Sequence, residues 1–277
     1  MFDITQRRIN SPNFISQRNC KVQTLKTLRI LNLDLHNWTF SDFLQQLEHG
    51  VVVTPNVDHF VKLQKDHDFY ECYKNSEHIV CDSRVIQLLS KFLYPGKGVV
   101  EQIAGSDLFP AFCMHHKNNT DNVKVFLLGG TDTSVVQAQE ALNKNAGANI
   151  VIGGYSPPFG FESSDEELQK IVSRVNASGA TALAVGVGAP KQEKWIHAHK
   201  DAMPEVKLFF AIGATIDFQA GAIKRAPRWM VKIGLEWLYR MMQEPKRLAK
   251  RYLLDDLPFL WQIVKQKFGQ YTNPWKD

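Results

Sequence analysis

The 277-residue chain has four cysteines, Cys20, Cys72, Cys81 and Cys113, and none forms a C-x-x-C pair. Their scarcity and spacing exclude a disulfide scaffold and a cysteine-based zinc site, and they read as free thiols of a reducing compartment, the cytosol. No window approaches 18 uninterrupted apolar residues, so no bilayer-spanning helix is expected. The opening stretch, MFDITQRRINSPNFISQRNC, has charge but no apolar h-region, so no secretory signal is expected. There is no G-x-G-x-x-G fingerprint and no G-x-x-x-x-G-K-[ST] loop, which disfavours a dinucleotide-binding dehydrogenase and a P-loop NTPase. The histidine pairs His115-His116 and His197-x-His199 lack the i, i+4 spacing of a helical zinc site. Asp66-x-Asp68 has the form of a divalent-ion motif, but it falls in the stretch FVKLQKDHDFYECY, predicted as one helix past the first strand. Carboxylates there face solvent rather than converge on a ligand edge.

What is present is ordinary in amount and uneven in placement. Hydrophobic residues make up 44% and charged residues 22%, enough for one large or two small domains with a core that needs neither disulfide nor metal. The net charge of +5 lies entirely within residues 226–252, where seven basic residues meet two acidic ones and are interleaved with Trp, Tyr and Met. Such a concentrated excess suits an anionic partner.

Residues 1–26 are polar and lack periodicity, and read as an N-terminal extension. From Thr27 short β-rich apolar runs alternate with amphipathic stretches. Strands are predicted at 51–53, 78–81, 123–128, 149–152, 181–185 and 208–212. Helices are predicted at 57–75, 83–92, 106–117, 134–144, 165–178 and 190–199. Near-continuously apolar strands alternating with helices predict an α/β fold, a Rossmann-like, mostly parallel sheet with helices on both faces, over residues 27–223. The alternation stops after Gly221. Residues 224–277 read as a basic helical C-terminal appendage, expected to bind an anionic membrane surface, with helix starts near Pro227, Pro245 and Pro258. In it, Trp229, Ile233 and Trp237 form an i, i+4, i+8 stripe expected to pack into a core.

Small and polar residues follow every predicted strand: Thr54-Pro55-Asn56, Asp82-Ser83-Arg84, Gly129-Gly130-Thr131, Gly153-Gly154-Tyr155, Gly186-Val187-Gly188 and Gly213-Ala214-Thr215. Any strand-to-helix turn favours such residues. Six in succession point to a nucleotide-type crevice at the strand C-termini, where helix N-termini offer N–H groups to anions. Asp82 has two readings, a carboxylate that takes a proton from a substrate hydroxyl or an N-cap of the following helix. Gln192, opening the helix after GVGAP, offers the donor and acceptor that a nucleobase edge requires, or is an ordinary helix start.

Taken in order, TPN, VCD, EQIAGSDLFP, VFLLGG, GVGAPKQEKWI, IGATIDFQAGAIKRAPRWM and GLEWLYRMMQEPKRLAKRYL resemble the WecG/TagA/CpsF family of bacterial glycosyltransferases. The resemblance covers roughly residues 28–254. It implies an inverting transferase with a Rossmann-like core that needs no metal or other cofactor. The donor it implies is a UDP-sugar, UDP-N-acetylmannosamine or a related hexose. The acceptor it implies is a polyprenyl-diphosphate-linked sugar, met at the inner face of the plasma membrane during synthesis of a cell-surface polysaccharide or a teichoic-acid-type polymer. By motif, the general base falls on Asp82 and the pocket pair on Thr54 and Asn56. Donor contacts fall on Gln192 and the glycine turns Gly129, Gly130, Gly186 and Gly188, and the diphosphate cations on Arg240 and Arg247, with a third basic position at Lys250 or Arg251. Where relatives often carry Arg in E-R-x-x-G-x-D, this chain has Gln102, an acceptor-side candidate, with Lys97 or Arg84 as substitutes for the missing charge. Lys246, Lys250 and Arg251 are expected to face an anionic membrane. Members can self-associate when the appendage is displaced, so a homo-oligomer is among the implied partners, and nucleic acid is not. Two other classes compete on residues alone: a nucleotide-binding oxidoreductase, and a non-catalytic membrane-associated protein that uses only the basic aromatic segment.

Overall fold

The structure, a computed structural model, describes residues 26–233, 235–250 and 254–275, without the side chains of residues 228, 232 and 247. The expected extension 1–26, all but its last residue, lies outside the described residues. The chain opens with two strands, β1 (Thr27–Ile30) and β2 (Leu33–His36), and a short helix α1 (Phe40–Gln45). There follow β3 (Gly50–Val53), α2 (Val57–Leu63), α3 (His67–Lys74), β4 (His78–Ile79), α4 (Arg84–Leu93) and α5 (Gly105–His115). Strict alternation comes next: β5 (Val125–Gly129), α6 (Asp132–Ala146), β6 (Val151–Tyr155), α7 (Asp165–Ser178), β7 (Ala182–Gly186), α8 (Lys191–His199), β8 (Leu208–Ala211) and α9 (Thr215–Gln219). Among the described residues four helices follow: α10 (Arg228–Lys232), α11 (Glu236–Gln243), α12 (Pro245–Lys250) and α13 (Leu257–Lys267).

Six strands form one parallel sheet in the order β4-β3-β8-β7-β5-β6. Because side chains alternate across a strand, the apolar runs feed two cores. Val51, Val53, Phe126, Leu128, Leu183, Val185, Phe209 and Ala211 point to one face, where Phe60, Phe69, Ile86, Ile171, Ile196 and Phe259 cover them. Val52, Val125, Leu127, Ala182, Ala184, Leu208 and Phe210 point to the other, against Phe43, Leu108, Phe112, Leu142 and Ile216. The expected α/β architecture, covered on both faces and followed by extra helices, is the observed one.

Three expectations are corrected. The stretch 57–75 is two helices, because Asp66 adopts an extended conformation and its side chain accepts from Phe69 N, capping α3. The hairpin β1–β2 was not expected as strands. Its alternation buries Leu28, Ile30, Leu33 and Leu35, and Leu31 at φ 50° makes the tight turn between them. The stripe Trp229, Ile233 and Trp237 is not a core face: Trp229 and Ile233 are exposed, and the helix ends at Lys232 before α11 begins at Glu236. With the helix broken, the i, i+4 geometry that would align the stripe is lost.

The last helix returns to the body. Phe259 and Ile263 are 2% and 1% exposed in the first core, and Gln266 accepts from Leu31 N and donates to Arg29 O. Beyond it, Trp275 Nε1 donates to Leu63 O at 2.7 Å, and Tyr271 donates to Gln64 Oε1 at 2.7 Å. Burying side chains the size of Phe259 and Ile263 contributes about 1.5–3 kcal/mol each.

Candidate active site

Asp82 stands where the path of β4 leaves the sheet, and its main chain is clamped from both sides. Its N–H donates to Pro55 O at 3.3 Å, and its carbonyl accepts from Gln102 Nε2 at 2.5 Å. One residue earlier, Cys81 O accepts from Ile103 N at 2.7 Å. The helix-capping role that competed for Asp82 belongs to its neighbour: Ser83 Oγ accepts from Ile86 N and starts α4. The Asp82 carboxyl is therefore left to face α5, where it accepts the N–H of Gly105. Ala104, at the N-cap of α5, offers no side-chain cap of its own. Thr54, at the end of β3, lies against Gly105, so close that a Cβ there would stand 3.1 Å from Thr54 Oγ1.

The half-buried Asp82 carboxyl is pushed up to about 7, first by burial, then by the nearby carboxylate of Glu236, with a smaller push from Asp107. Arg240 and the Gly105 N–H act the other way. Both Glu236 and Arg240 come from α11, one turn apart on one face. Arg240 also stands 5.6 Å from the centre of the Phe218 ring on α9. The segment leading into α10 is fixed next to Asp82: Arg225 forks onto Asp107 at 2.6 and 3.1 Å and donates to Ser106 Oγ at 3.0 Å, all in the first turn of α5. Planar guanidinium and carboxylate match in such a fork. Thr54, Asp82, Gln102 and Arg240 are thus gathered around one helix start.

The other predicted residues occupy the adjoining strand ends. A Cβ at Gly129 would lie 2.5 Å from Gly186 O, and one at Gly186 would lie 2.6 Å from Gly213 O. The ends of β5, β7 and β8 therefore touch backbone to backbone, and glycine is needed there for the sheet itself. Gly188 has open space around it, while Gly130 packs against Ser134, which completes the capping box of α6 with Thr131. Gln192, expected near the crevice, is packed against the turn that follows β8. It is 2% exposed, its Oε1 accepts from Gly213 N at 3.0 Å, and its Nε2 donates to Glu193 Oε1 at 2.9 Å. It ties α8 to the turn after β8. Asn56 caps α2 by accepting from His59 N at 3.2 Å.

Arg247 lies in α12, but its side chain is outside the described residues, as is the whole of Arg251. Lys250, the last residue of α12, is exposed. Of the two substitutes for the missing arginine, Arg84 follows the Asp82-Ser83 turn, with its Nη1 on Gln87 Oε1 and a buried, unpartnered Nε. Lys97 lies past the far end of α4, about 15 Å from its start at 1.5 Å per residue. It does not replace an arginine beside Asp82. Asp66 and Asp68 both pair with Lys194, at 2.9 and 3.7 Å. His197 Nε2 bonds Ser76 Oγ, and His199 Nδ1 bonds Trp195 O. Among the described residues no group of three or more His, Cys, Asp or Glu side chains could hold a metal ion.

Two carboxylates of this region were missed from the sequence. Glu236 hides in a basic segment. Glu193 is 0% exposed and is pushed up to about 7 by burial, against its hydrogen bond from Gln192 and the charge of Lys62. Its Oε2 finds no hydrogen-bond partner among the described residues. The available signal was its place on the buried stripe with Gln192 and Ile196. Across this whole frame, from β1 to the segment after α13, a family model described as Glycosyl transferase WecG/TagA/CpsF family matches residues 28–273.

Proposed function

The chain belongs to the WecG/TagA/CpsF glycosyltransferase family, and on that premise we propose that it transfers a sugar from a UDP-sugar to a polyprenyl-diphosphate-linked sugar, with inversion and without a metal ion. Membership makes it a transferase with a nucleotide-sugar donor and a sugar acceptor, and sets aside the oxidoreductase and the non-catalytic binder. The finer reading names UDP-N-acetylmannosamine or a related hexose as donor. It places the enzyme at the inner face of the plasma membrane, in synthesis of a cell-surface polysaccharide or teichoic-acid-type polymer. Among the described residues no helix is long and apolar enough to cross a membrane, and a peripheral enzyme is consistent with that.

The observation that carries the mechanism is Asp82, a half-buried carboxyl held up to about 7 beside an arginine. A general base works best when its pKa lies near the working pH. The acceptor hydroxyl oxygen attacks the anomeric carbon and forms the new C–O bond. As that oxygen bonds, Asp82 takes its proton, and the bond to the diphosphate breaks with its electron pair leaving on UDP. Arg240 and Arg247 meet the charge that develops on the diphosphate. Preorganised cations in a dry site are worth about 10²–10³ in rate per donor removed. Thr54 and Asn56 border the acceptor or sugar pocket, and Gly129, Gly130, Gly186, Gly188 and Gln192 shape the donor side. For Gln192 the support is indirect: it acts through the Gly213 turn it holds. Lys250 and Arg251 supply a further positive charge near the diphosphate or the membrane.

A panel of UDP-sugars offered against lipid-diphosphate-linked sugars, with and without EDTA, tests this. Transfer that survives EDTA and gives a product of opposite anomeric configuration is expected. A strict metal requirement, retention of configuration, or no transfer from any UDP-sugar overturns the corresponding part.

A further inference from the structure

The loop between β6 and α7 crosses the ends of neighbouring strands. At its start, Ser156 Oγ donates to Gly130 O at 2.7 Å, in the turn after β5. Near its end, Glu162 pairs with Lys191, the first residue of α8 after β7. In the sheet β5 lies between β6 and β7, so residues 156–162 bridge the end of β5. The middle of the bridge is a tight turn. Phe161 N donates to Pro158 O at 3.2 Å, and Gly160, at φ 80° and ψ 14°, takes the third position of a type II turn. Pro157 and Pro158 restrict the backbone that enters it, and Phe161 anchors its far side in the first core. Phe159, at the second position of this turn, is 101% exposed.

A single exposed apolar side chain needs no explanation by itself. Phe159 differs because a fixed turn holds it out at the strand ends, the edge where parallel sheets bind ligands. Lys191 Nζ stands 5.1 Å from the centre of its ring. Tyr155, four residues earlier, is the contrasting case: its hydroxyl donates to Glu167, and Lys170 and Arg174 stand over its ring. Close to Lys191, a Cβ at Gly188 would meet nothing within 4 Å, so the turn after β7 leaves room for a flat group. A nucleotide-sugar donor brings one. Its anomeric carbon must reach Asp82, after β4, and its base lies at the other end of the diphosphate. β7 is three strands from β4, about 14 Å at the usual strand spacing, roughly the length of an extended nucleoside diphosphate. Gln192, the residue the sequence offers for the base edge, is buried and already bonded to Gly213 and Glu193. We propose that Phe159 is the platform on which the nucleobase of the donor stacks, with the Lys191–Glu162 pair at the edge of the base. Every base has a π-face, so the ring supplies affinity. The ammonium and the carboxylate, both partly exposed, offer the donor and the acceptor that a carbonyl and the N3–H of uracil need. The proposal rests on the reading of the donor as a UDP-sugar and adds where its base is held.

The test measures UDP binding to the full chain by calorimetry, and donor KM in the transfer assay. Phe159→Ala should weaken UDP about 5–100-fold, the usual worth of one base–aromatic stack. Donor KM should rise by a similar factor with kcat nearly kept, the mark of binding shared by ground state and transition state. Phe159→Tyr should keep most of the affinity, and Phe159→Leu, apolar but not flat, should not. Lys191→Ala should weaken UDP by a smaller factor. Melting temperatures equal to that of the wild type show that these surface variants fold. Unchanged UDP affinity in Phe159→Ala overturns the proposal. So does a Phe159→Leu variant that binds as the wild type does, or a change confined to acceptor KM, since the ring then belongs to the acceptor sugar. A wild type that does not bind UDP counts against the proposed donor. The same variants are then compared on ADP, GDP and dTDP, and normal binding of the preferred nucleotide by Phe159→Ala overturns the platform by itself. A wild type that binds none of the four overturns both.

Discussion

Asp82 and Glu193 flank the middle of the sheet, one after β4 and the other in α8 after β7, with β3 and β8 between them. Both carboxyls are pushed up to about 7, and burial is the largest cause for each. Their surroundings otherwise differ. Asp82 is half-buried, and its next two influences, Glu236 and Arg240, arrive from α11. Glu193 is fully buried, and its partners are its own neighbour Gln192 and the Asp58–Lys62 pair of α2. An equal shift therefore does not mean an equal role. The Asp82 charge answers to a late segment of the chain that packs beside the site, whereas the Glu193 charge answers to the interior of the fold.

The largest effect that can separate the two is on turnover. Asp82→Asn should reduce kcat by about 10²–10⁴, the usual contribution of a general base, while UDP-sugar binding by calorimetry changes little. Near-wild-type turnover would remove Asp82 from its assigned role. Arg240→Ala should cost about 10²–10³ in kcat/KM, and unchanged UDP affinity together with unchanged rate would count against the diphosphate contact.

The next contrast is in the pH profile. The base must be ionised to act, so kcat/KM should fall about tenfold per pH unit below 7 and level off above it. Glu236 raises the Asp82 pKa and Arg240 lowers it. Glu236→Gln should therefore move the acidic limb to lower pH, and Arg240→Gln should move it to higher pH. Glu193→Gln should leave the limb in place, and a limb that moved with Glu193 would merge the two regions into one titrating unit.

The smallest expected effect is on stability. Each carboxyl has a native pKa above its ordinary value, so the folded state binds more protons than the unfolded one between the two values. Stability is full below the ordinary carboxylate range and declines as pH rises to about 7. Glu193→Gln keeps the amide-sized shape and removes the ionisation. It should raise Tm at pH 8 and make little difference at pH 4, and a lower Tm at pH 8 would show that the buried charge has a partner the geometry does not reveal.

The sheet was readable because its strands are short apolar runs bounded by turn residues. Val51 to Val53 and Leu208 to Ala211 lie within a residue of the predicted limits. The helix α7 fits its prediction end to end, since Ser164 caps it and Gly179, in a left-handed conformation, stops it. The break before α3 was not readable, because the capping side chain of Asp66 looks like any helix-surface aspartate. The hairpin β1–β2 was missed because its strands, TLRI and LDLH, alternate apolar with polar residues, and only Leu31 and Asn32 part them, without the glycine that marks a two-residue turn. Asp82 was found as a carboxylate at a strand end, but its freedom from the capping role depended on Ser83, one residue away. The glycines were found for a reason that is only part of theirs: Gly129 and Gly186 serve the contact between neighbouring strands. Glu236 was invisible, since its place beside Asp82 depends on how a segment more than a hundred residues later folds back.

The return of α13 to the core changes what kind of object the segment before it is. With Arg225 pinned to α5 and Phe259 sealed between α2 and α4, helices α10 to α12 are a strap fastened at both ends and not a tail. Ordering a strap costs the entropy of a closed loop, which grows only with the logarithm of its length. Arg240 is therefore held at high effective concentration beside Asp82 by the two fastened ends. A single protease cut in the strap would leave both halves attached to the body, still positioned to rejoin across the site.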